Sequence, residues 1–280
     1  MEIDGGDFVP GDWQETGPNL VDLINSTELA GGEFHASLAL SQERAREQFK
    51  AGVALPYLIL AESMPAAVGR RGSKWWVGAG SLSMSLIWQG NESQEPSPHK
   101  GGILSLATAL AVINATETAT NGELIPGRDL TLHWPNDVYL RGRKLSGILL
   151  EHLPENTFAI GIGINVNNRT AAAPQDLQAK ITTLRDEIGF ALPRVEFLRL
   201  FLQGFFANAE LSKTPLGRKQ IVDRATNLCI QVGRTTNVHI GEKTVSGSCV
   251  GIDLTGGLVL DTDAGQQVFH SGEISTTEMP

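Results

Sequence analysis

The sequence predicts an α+β protein, with strands and helices mixed in one large domain and a small β-barrel at the C-terminal end. Three observations predict it. Strand alternation and helical periodicity interleave through residues 35–225, as at Ser81–Trp88 and Val195–Phe205. From Leu228 onward only short β runs separated by glycines remain. A chain of 280 residues with 41% hydrophobic content can bury a core for one large domain plus a small one.

Residues 1–34 are expected to form a poorly ordered acidic lead-in with a short helix at Leu20–Ile24. Ser41–Lys50 predicts a charged helix capped by Ser41. Tyr57–Ala61 predicts a short buried strand. Ser81–Trp88 predicts another, with Leu82, Met84 and Leu86 on one face and serines on the other. Asn91–Lys100 is a polar loop, and Gly102–Thr118 a helix rich in small residues. Strands follow at Leu130–His133, Val138–Leu140 and Lys144–His152, and Pro154-Glu155-Asn156 turns the chain into Thr157–Val166. There Ala159, Gly161, Gly163 and Asn165 share one face, so two glycines leave its backbone open to close approach and Asn165 ends it with an amide. Thr183-Leu184-Arg185-Asp186 is a capping-box start with Asp for Glu. Val195, Leu198, Leu202 and Phe205 then predict an amphipathic helix to about Glu210. The β runs Val238–Ile240, Val245–Ile252, Leu258–Asp261 and Val268–Phe269 complete a barrel of roughly 50 residues.

Two cysteines, Cys229 and Cys249, make no disulfide framework, and a reducing cytoplasm is the simplest setting. The apolar runs, such as Ile103–Ala115, fall short of a membrane span, and the acidic first 30 residues lack a signal peptide's basic start. A net charge of −9 opposes general binding to nucleic acid, so no DNA partner is expected. The six histidines show no metal-ligand spacing, and no serine nucleophile elbow occurs.

The most informative stretch runs from His133 to Ile148. Arg141-Gly142 closes a two-residue hairpin loop. In that register Leu140 faces Arg143, Tyr139 faces Lys144 and Asp137 faces Ser146, placing Asp137 and Lys144 on one face as diagonal neighbours about 7–8 Å apart. An ammonium and a carboxylate so spaced bracket room for a small anionic group. A second element, Gly69-Arg70-Arg71-Gly72-Ser73-Lys74-Trp75-Trp76, puts three cations on a loop whose glycines let backbone N–H groups turn toward phosphates.

Trp134-Pro135-Asn136-Asp137 followed by Arg143-Lys144 and Gly147-Ile148 resembles the Lys-Trp-Pro-Asn-Asp … Arg-Lys-x-x-Gly-Ile-Leu signature of the biotin protein ligases. The likeness extends over roughly residues 36–275. It implies a class II synthetase-like biotin/lipoate ligase catalytic domain, with a central mixed sheet flanked by helices, over residues 35–225. It also implies an SH3-like barrel over residues 226–280, ending Phe269-His270-Ser271-Gly272-Glu273-Ile274. The activity implied joins biotin to AMP from ATP and passes it to a lysine of a biotin carboxyl-carrier protein such as that of acetyl-CoA carboxylase. Some relatives carry an N-terminal DNA-binding domain; the acidic start implies a monofunctional form, monomer or homodimer.

Carried onto this chain, the resemblance makes Lys144 the central cation, with Arg70 and Asp137 as further catalytic groups. Ser41, Gln42, Gly69, Arg70, Lys144 and Gly163 would bind the acid, and Arg71, Trp75, Asn136 and Asn165 the nucleotide. Asp137 would hold Mg²⁺ through water or orient the incoming amine. Positioning and charge neutralisation suffice for such chemistry, and the family's glycine-arginine loop shields the mixed anhydride from water. The departures fall on the biotin side. Ala67-Val68 replaces Gly-Arg, Ser73 replaces Arg, Met64 replaces Gln, His133 stands for Lys or Arg, and Ser41-Gln42-Glu43 stands for Ser-Thr-Asn. Two lost charge-assisted bonds would weaken binding on the order of 10²–10⁴ unless compensated. Lipoate or octanoate ligation, or a non-catalytic biotin binder, are the alternatives.

Overall fold

The computed structural model describes residues 17–90 and 101–276. Its main domain is a seven-stranded mixed sheet in the order β1-β2-β3-β7-β6-β5-β4. The strands are β1 (Gly31–Ser37), β2 (Tyr57–Ser63), β3 (Leu82–Gln89), β4 (Leu130–His133), β5 (Asp137–Leu140), β6 (Arg143–Leu153) and β7 (Thr157–Ile164). Only β1 and β2 pair in parallel; the remaining neighbours are antiparallel. The helices are α1 (Leu20–Asn25), α2 (Ser41–Lys50), α3 (Gly102–Ala119), α4 (Gln175–Gln178), α5 (Leu184–Ile188), α6 (Arg194–Leu211) and α7 (Pro215–Leu228).

Alternation along the strands sends two sets of side chains to opposite faces. Leu82, Met84 and Leu86 of β3 and Ile160, Ile162 and Ile164 of β7 join α3 and α6 in the main core, with Phe197, Phe201 and Phe205 fully enclosed. Helix α3 is long and apolar enough by composition to cross a membrane; here it is a core helix, buried over most of its length. The opposite face carries Ile59, Ile87 and Ala159 against Ala45 of α2. Ion pairs Arg44–Glu33 and Arg46–Glu151, both 2.7 Å, tie α2 to both sides of that face. Beyond α2 the same face loses its side chains at Gly161, Gly163 and Gly147, and the site lies there.

Several expectations change. Within the expected lead-in, Leu23 and Leu29 are buried, and β1 begins at Gly31 because β2 offers it a parallel edge. Residues 1–16 and the Asn91–Lys100 loop lie outside the described residues. Ser41 is not the helix cap; Leu40 holds that position, and the Ser41 hydroxyl instead hydrogen-bonds the Ser85 hydroxyl at 2.8 Å. Thr183 does cap α5 by accepting from Asp186 N, but the Asp186 carboxylate completes no box and accepts from Thr170. Helix α7 went unread, although Thr214 caps it with Pro215 in its first turn and Ile221, Val222, Ala225 and Leu228 face the core.

The C-terminal strands β8 (Thr235–Ile240), β9 (Lys243–Ile252), β10 (Leu258–Thr262), β11 (Gly265–Phe269) and β12 (Glu273–Thr276) form an antiparallel sheet ordered β11-β10-β9-β8-β12. β11 and β12 are not paired to each other among the described residues, so the expected barrel is an open five-stranded sheet. It is fastened to the main domain where the Trp134 indole donates to Gly256 O at 2.9 Å and Ile230 N to Leu132 O at 2.9 Å. Cys229 and Cys249 lie free and buried near this seam, and burial pushes their thiols up to about 12 and about 11. Because the thiolate is the reactive form, a thiol reagent at pH 8 is expected to titrate neither cysteine in the native protein and both after denaturation. Prompt native labelling would contradict their enclosure.

Candidate active site

The hairpin that carries the site is set by its turn. Arg141 (φ 48) and Gly142 (φ 76) both take left-handed angles, as a two-residue type I′ loop requires. The turn is held from outside by Glu187 of α5, which pairs with Arg141 at 3.0 Å and Arg143 at 2.6 Å. Leu140 faces Arg143 and Tyr139 faces Lys144, as the spacing predicts. The register then shifts, so Asp137 faces Gly147 rather than Ser146. This bulge at Leu145 is stabilised because its freed backbone groups find other partners. Lys144 N donates to Lys180 O, Thr182 N donates to Lys144 O, and Asn165 N donates to Leu145 O, all within 2.9–3.0 Å.

The lysine side chain crosses the diagonal spacing between Lys144 and Asp137. Lys144 Nζ lies 2.6 Å from Asp137 Oδ2, so ammonium and carboxylate touch instead of standing 7–8 Å apart. They do not bracket an anion; they form one wall of its space. Both are mostly enclosed, with side-chain exposures of 28% and 17%. Asp137 Oδ1 is buried with no hydrogen-bond partner.

The space is a cavity of about 600 Å³ lined by Ser41, Gln42, Gly69, Arg70, Arg71, Trp75, Asn136, Asp137, Lys144 and Gly163, together with His133, Tyr139, Gly147 and Gly272–Ile274. Its rim is the basic loop, a folded turn in which Gly69 N donates to Ser73 O at 2.7 Å and Trp75 N to Ala67 O at 3.0 Å. Arg70 reaches inward and donates to Asn136 Oδ1 at 3.1 Å, while Asn136 Nδ2 donates to Ile148 O at 2.6 Å. Asn136 is thus a bracket for Arg70. Burial and the neighbouring Arg71 charge hold the Arg70 guanidinium below its usual pKa, and Asp137 opposes them. Arg71, at φ 55, points to Glu273 of β12 at 3.7 Å.

Gln42 lies over Gly161, where both its amide hydrogens go to backbone, to Leu149 O and Ala159 O, and its oxygen accepts from Ser85 at 3.0 Å. Trp75 lies over Gly163 and against Gly147, with Lys144 Nζ 5.5 Å from its ring. Asn165 does not line the cavity. It is buried and accepts from Asn168 Nδ2 at 3.0 Å. Strand parity carries the eye to Asn165, but the chain leaves the sheet at Ile164.

Sequence reasoning missed Tyr139 and His133, whose rings stack at 4.9 Å on the cavity wall. Tyr139 was readable, being two residues from Asp137 on one strand face. Burial lowers the His133 pKa against the pull of Asp137, so the imidazole is neutral at pH 7, and burial with the Asp137 charge raises Tyr139. The contribution of Gly272–Ile274 depends on how the C-terminal sheet docks, which local pattern does not encode. A second cavity of about 430 Å³ adjoins the first and shares Arg70, Arg71, Pro135 and Asn136 with it. No group of three or more metal-ligating side chains occurs among the described residues.

The chain is similar to known proteins. Residues 58–167 match the biotin/lipoate A/B protein ligase family, and residues 232–276 match the biotin protein ligase C terminal domain. The chain is 30% identical over 225 residues to the biotin--[acetyl-CoA-carboxylase] ligase of Paracoccus denitrificans, covering 77% of this chain and 88% of that protein. It is 28% identical over 255 residues to the bifunctional ligase/repressor BirA of Bacillus subtilis, covering 89% and 75%. The biotin protein ligase of Aquifex aeolicus, solved in complex with biotin and ATP, superposes with a TM-score of 0.75 at 28% identity, over 90% of this chain and all of that one. A match of that length and identity, with the hairpin and loop in place, establishes that the chain belongs to the biotin protein ligase family.

Proposed function

We propose that the protein joins biotin to a carrier-protein lysine at the expense of ATP. A carboxylate oxygen of biotin attacks the α-phosphorus, forming a C–O–P anhydride and releasing pyrophosphate. The lysine amine then attacks the biotinyl carbonyl, forming the amide and releasing AMP and a proton. The observation that carries this reading is the Lys144–Asp137 pair, 2.6 Å apart on the wall of a glycine-floored cavity with Arg70 at its rim.

In this reading Lys144 steadies the acid carboxylate and then the acyl phosphate. Asp137 fixes Lys144 through Oδ2, and Arg70, held by Asn136, neutralises charge on the phosphates. Gly69 and Arg71 line the cavity from the loop, where Gly69 would meet the acid and Arg71 the nucleotide. For Mg²⁺, the cavity wall offers the unpartnered Oδ1 of Asp137. That donor set suits an ion that arrives with ATP and keeps phosphate and water ligands, where it would neutralise phosphate charge. We read residues 35–225, preceded by α1 and the start of β1, as the catalytic unit and residues 226–280 as an SH3-like unit. The setting we infer is the cytoplasm, as monomer or homodimer, with a biotin carboxyl-carrier domain as partner docking near the catalytic sheet by strand addition.

Incubation with Mg·ATP, biotin and a biotin carboxyl-carrier domain of acetyl-CoA carboxylase is expected to add one biotinyl group to one lysine, seen by intact-mass spectrometry. Octanoate and lipoate in excess should not compete. Transfer of either acid in preference to biotin would replace the substrate assignment.

A further inference from the structure

We propose, resting on the ligase reading, that Ser83 recognises the polar head of the acid and that Trp75 occupies the trough until the acid displaces it. One row of cross-strand partners runs Asp137, Gly147, Gly163, Ser83, Ala61 over β5, β6, β7, β3 and β2, all on one sheet face. Its middle is bare, since Gly147 and Gly163 have no side chains. Lys144 Nζ lies 3.3 Å from where a Gly147 Cβ would stand, which marks the carboxylate end of the row. Neighbouring strands are ~4.8 Å apart, so Ser83, two strands on from Gly147, lies about 10 Å from that end. A valeryl arm with a fused bicyclic head laid across the strands spans about this length, bringing its ureido group to Ser83.

The Ser83 hydroxyl is fully buried and has no hydrogen-bond partner. The Trp75 indole N–H, in the same row, is also buried without one. The next row differs: the Ser85 hydroxyl donates to Gln42 Oε1 and shares a hydrogen bond with the Ser41 hydroxyl, and the Gln42 amide hydrogens are both engaged. The Ser41-Gln42 pair therefore closes the trough as a wall, and the hydroxyl with capacity for a ligand is Ser83. Buried polar groups left unpaired are costly and point to a partner that arrives later. Trp75 spans the row from Lys144 to the Ala61–Met64–Ala67 cluster, so an acid lying there must lift the indole.

The test is Ser83→Ala, assayed by biotin-dependent exchange of pyrophosphate into ATP. The KM for biotin should rise about tenfold while kcat and the KM for ATP stay within about twofold. Octanoate, which has no polar head, should leave the exchange unaffected in the variant, as in the unaltered protein. The ligand-free variant should melt no lower than the unaltered protein, because the hydroxyl makes no internal bond. An unchanged biotin KM, or a lowered melting midpoint with kcat falling alongside, would overturn the role of Ser83 while leaving the ligase reading intact. Absence of biotin-dependent exchange in the unaltered protein would overturn both.

Discussion

Lys144→Ala is expected to lower kcat/KM for biotin-dependent exchange by about 10³-fold or more, ~4 kcal/mol of transition-state stabilisation. The magnitude follows from where the ammonium sits. It is mostly enclosed, beside an indole and a carboxylate, where water screens it poorly. The same deletion leaves the Asp137 carboxylate without its cation and should cost stability, about 1–3 kcal/mol given its residual exposure. The paired replacement Lys144→Met with Asp137→Asn separates the two effects. It removes both charges at similar volume, so the melting midpoint should recover while exchange stays lost. Recovery of activity with stability would show that the pair serves only to hold the hairpin.

Gly163→Val is the second large effect. A Cβ there would stand 2.4–2.6 Å from Trp75 ring atoms, closer than real contacts allow. The indole must move, and the valine methyls then fill the floor on which the acid lies. The KM for biotin should rise on the order of 10²-fold, with the KM for ATP little changed. Gly161→Ala is the graded control, since its Cβ would meet Gln42 at 3.3–3.5 Å, and a rise of less than about fivefold is expected. Equal effects at the two glycines would contradict the placement of the trough at Gly147 and Gly163.

The parts of this site that sequence reveals are those set by local rules. Arg141-Gly142 dictates the turn, and the turn puts Tyr139 opposite Lys144. Alternation on β7 identifies Gly161 and Gly163 before any coordinates. What escapes is decided at long range. The Leu145 bulge exists because residues 180–182 and Asn165 hydrogen-bond the displaced backbone groups, and residues 180–182 belong to a segment with no pattern of its own. Strand β1 shows no alternation and is specified by the edge of β2. Trp75 and Gln42 reach the glycines from a loop and a helix far along the chain, so only the folded sheet reveals that one lies over Gly163 and the other over Gly161. Helix α7 is a different case, since its cap and spacing were readable and the mixed polar face disguised them.

The central claim is that one enclosed lysine ammonium steadies a carboxylate while it is joined to AMP. A single-turnover reaction of protein, biotin and Mg·ATP, with no carrier present, tests it most directly. Biotinyl-5′-AMP and pyrophosphate are expected in equal amounts with the unaltered protein, and neither with Lys144→Met. Formation of the adenylate at an undiminished rate by Lys144→Met would contradict it.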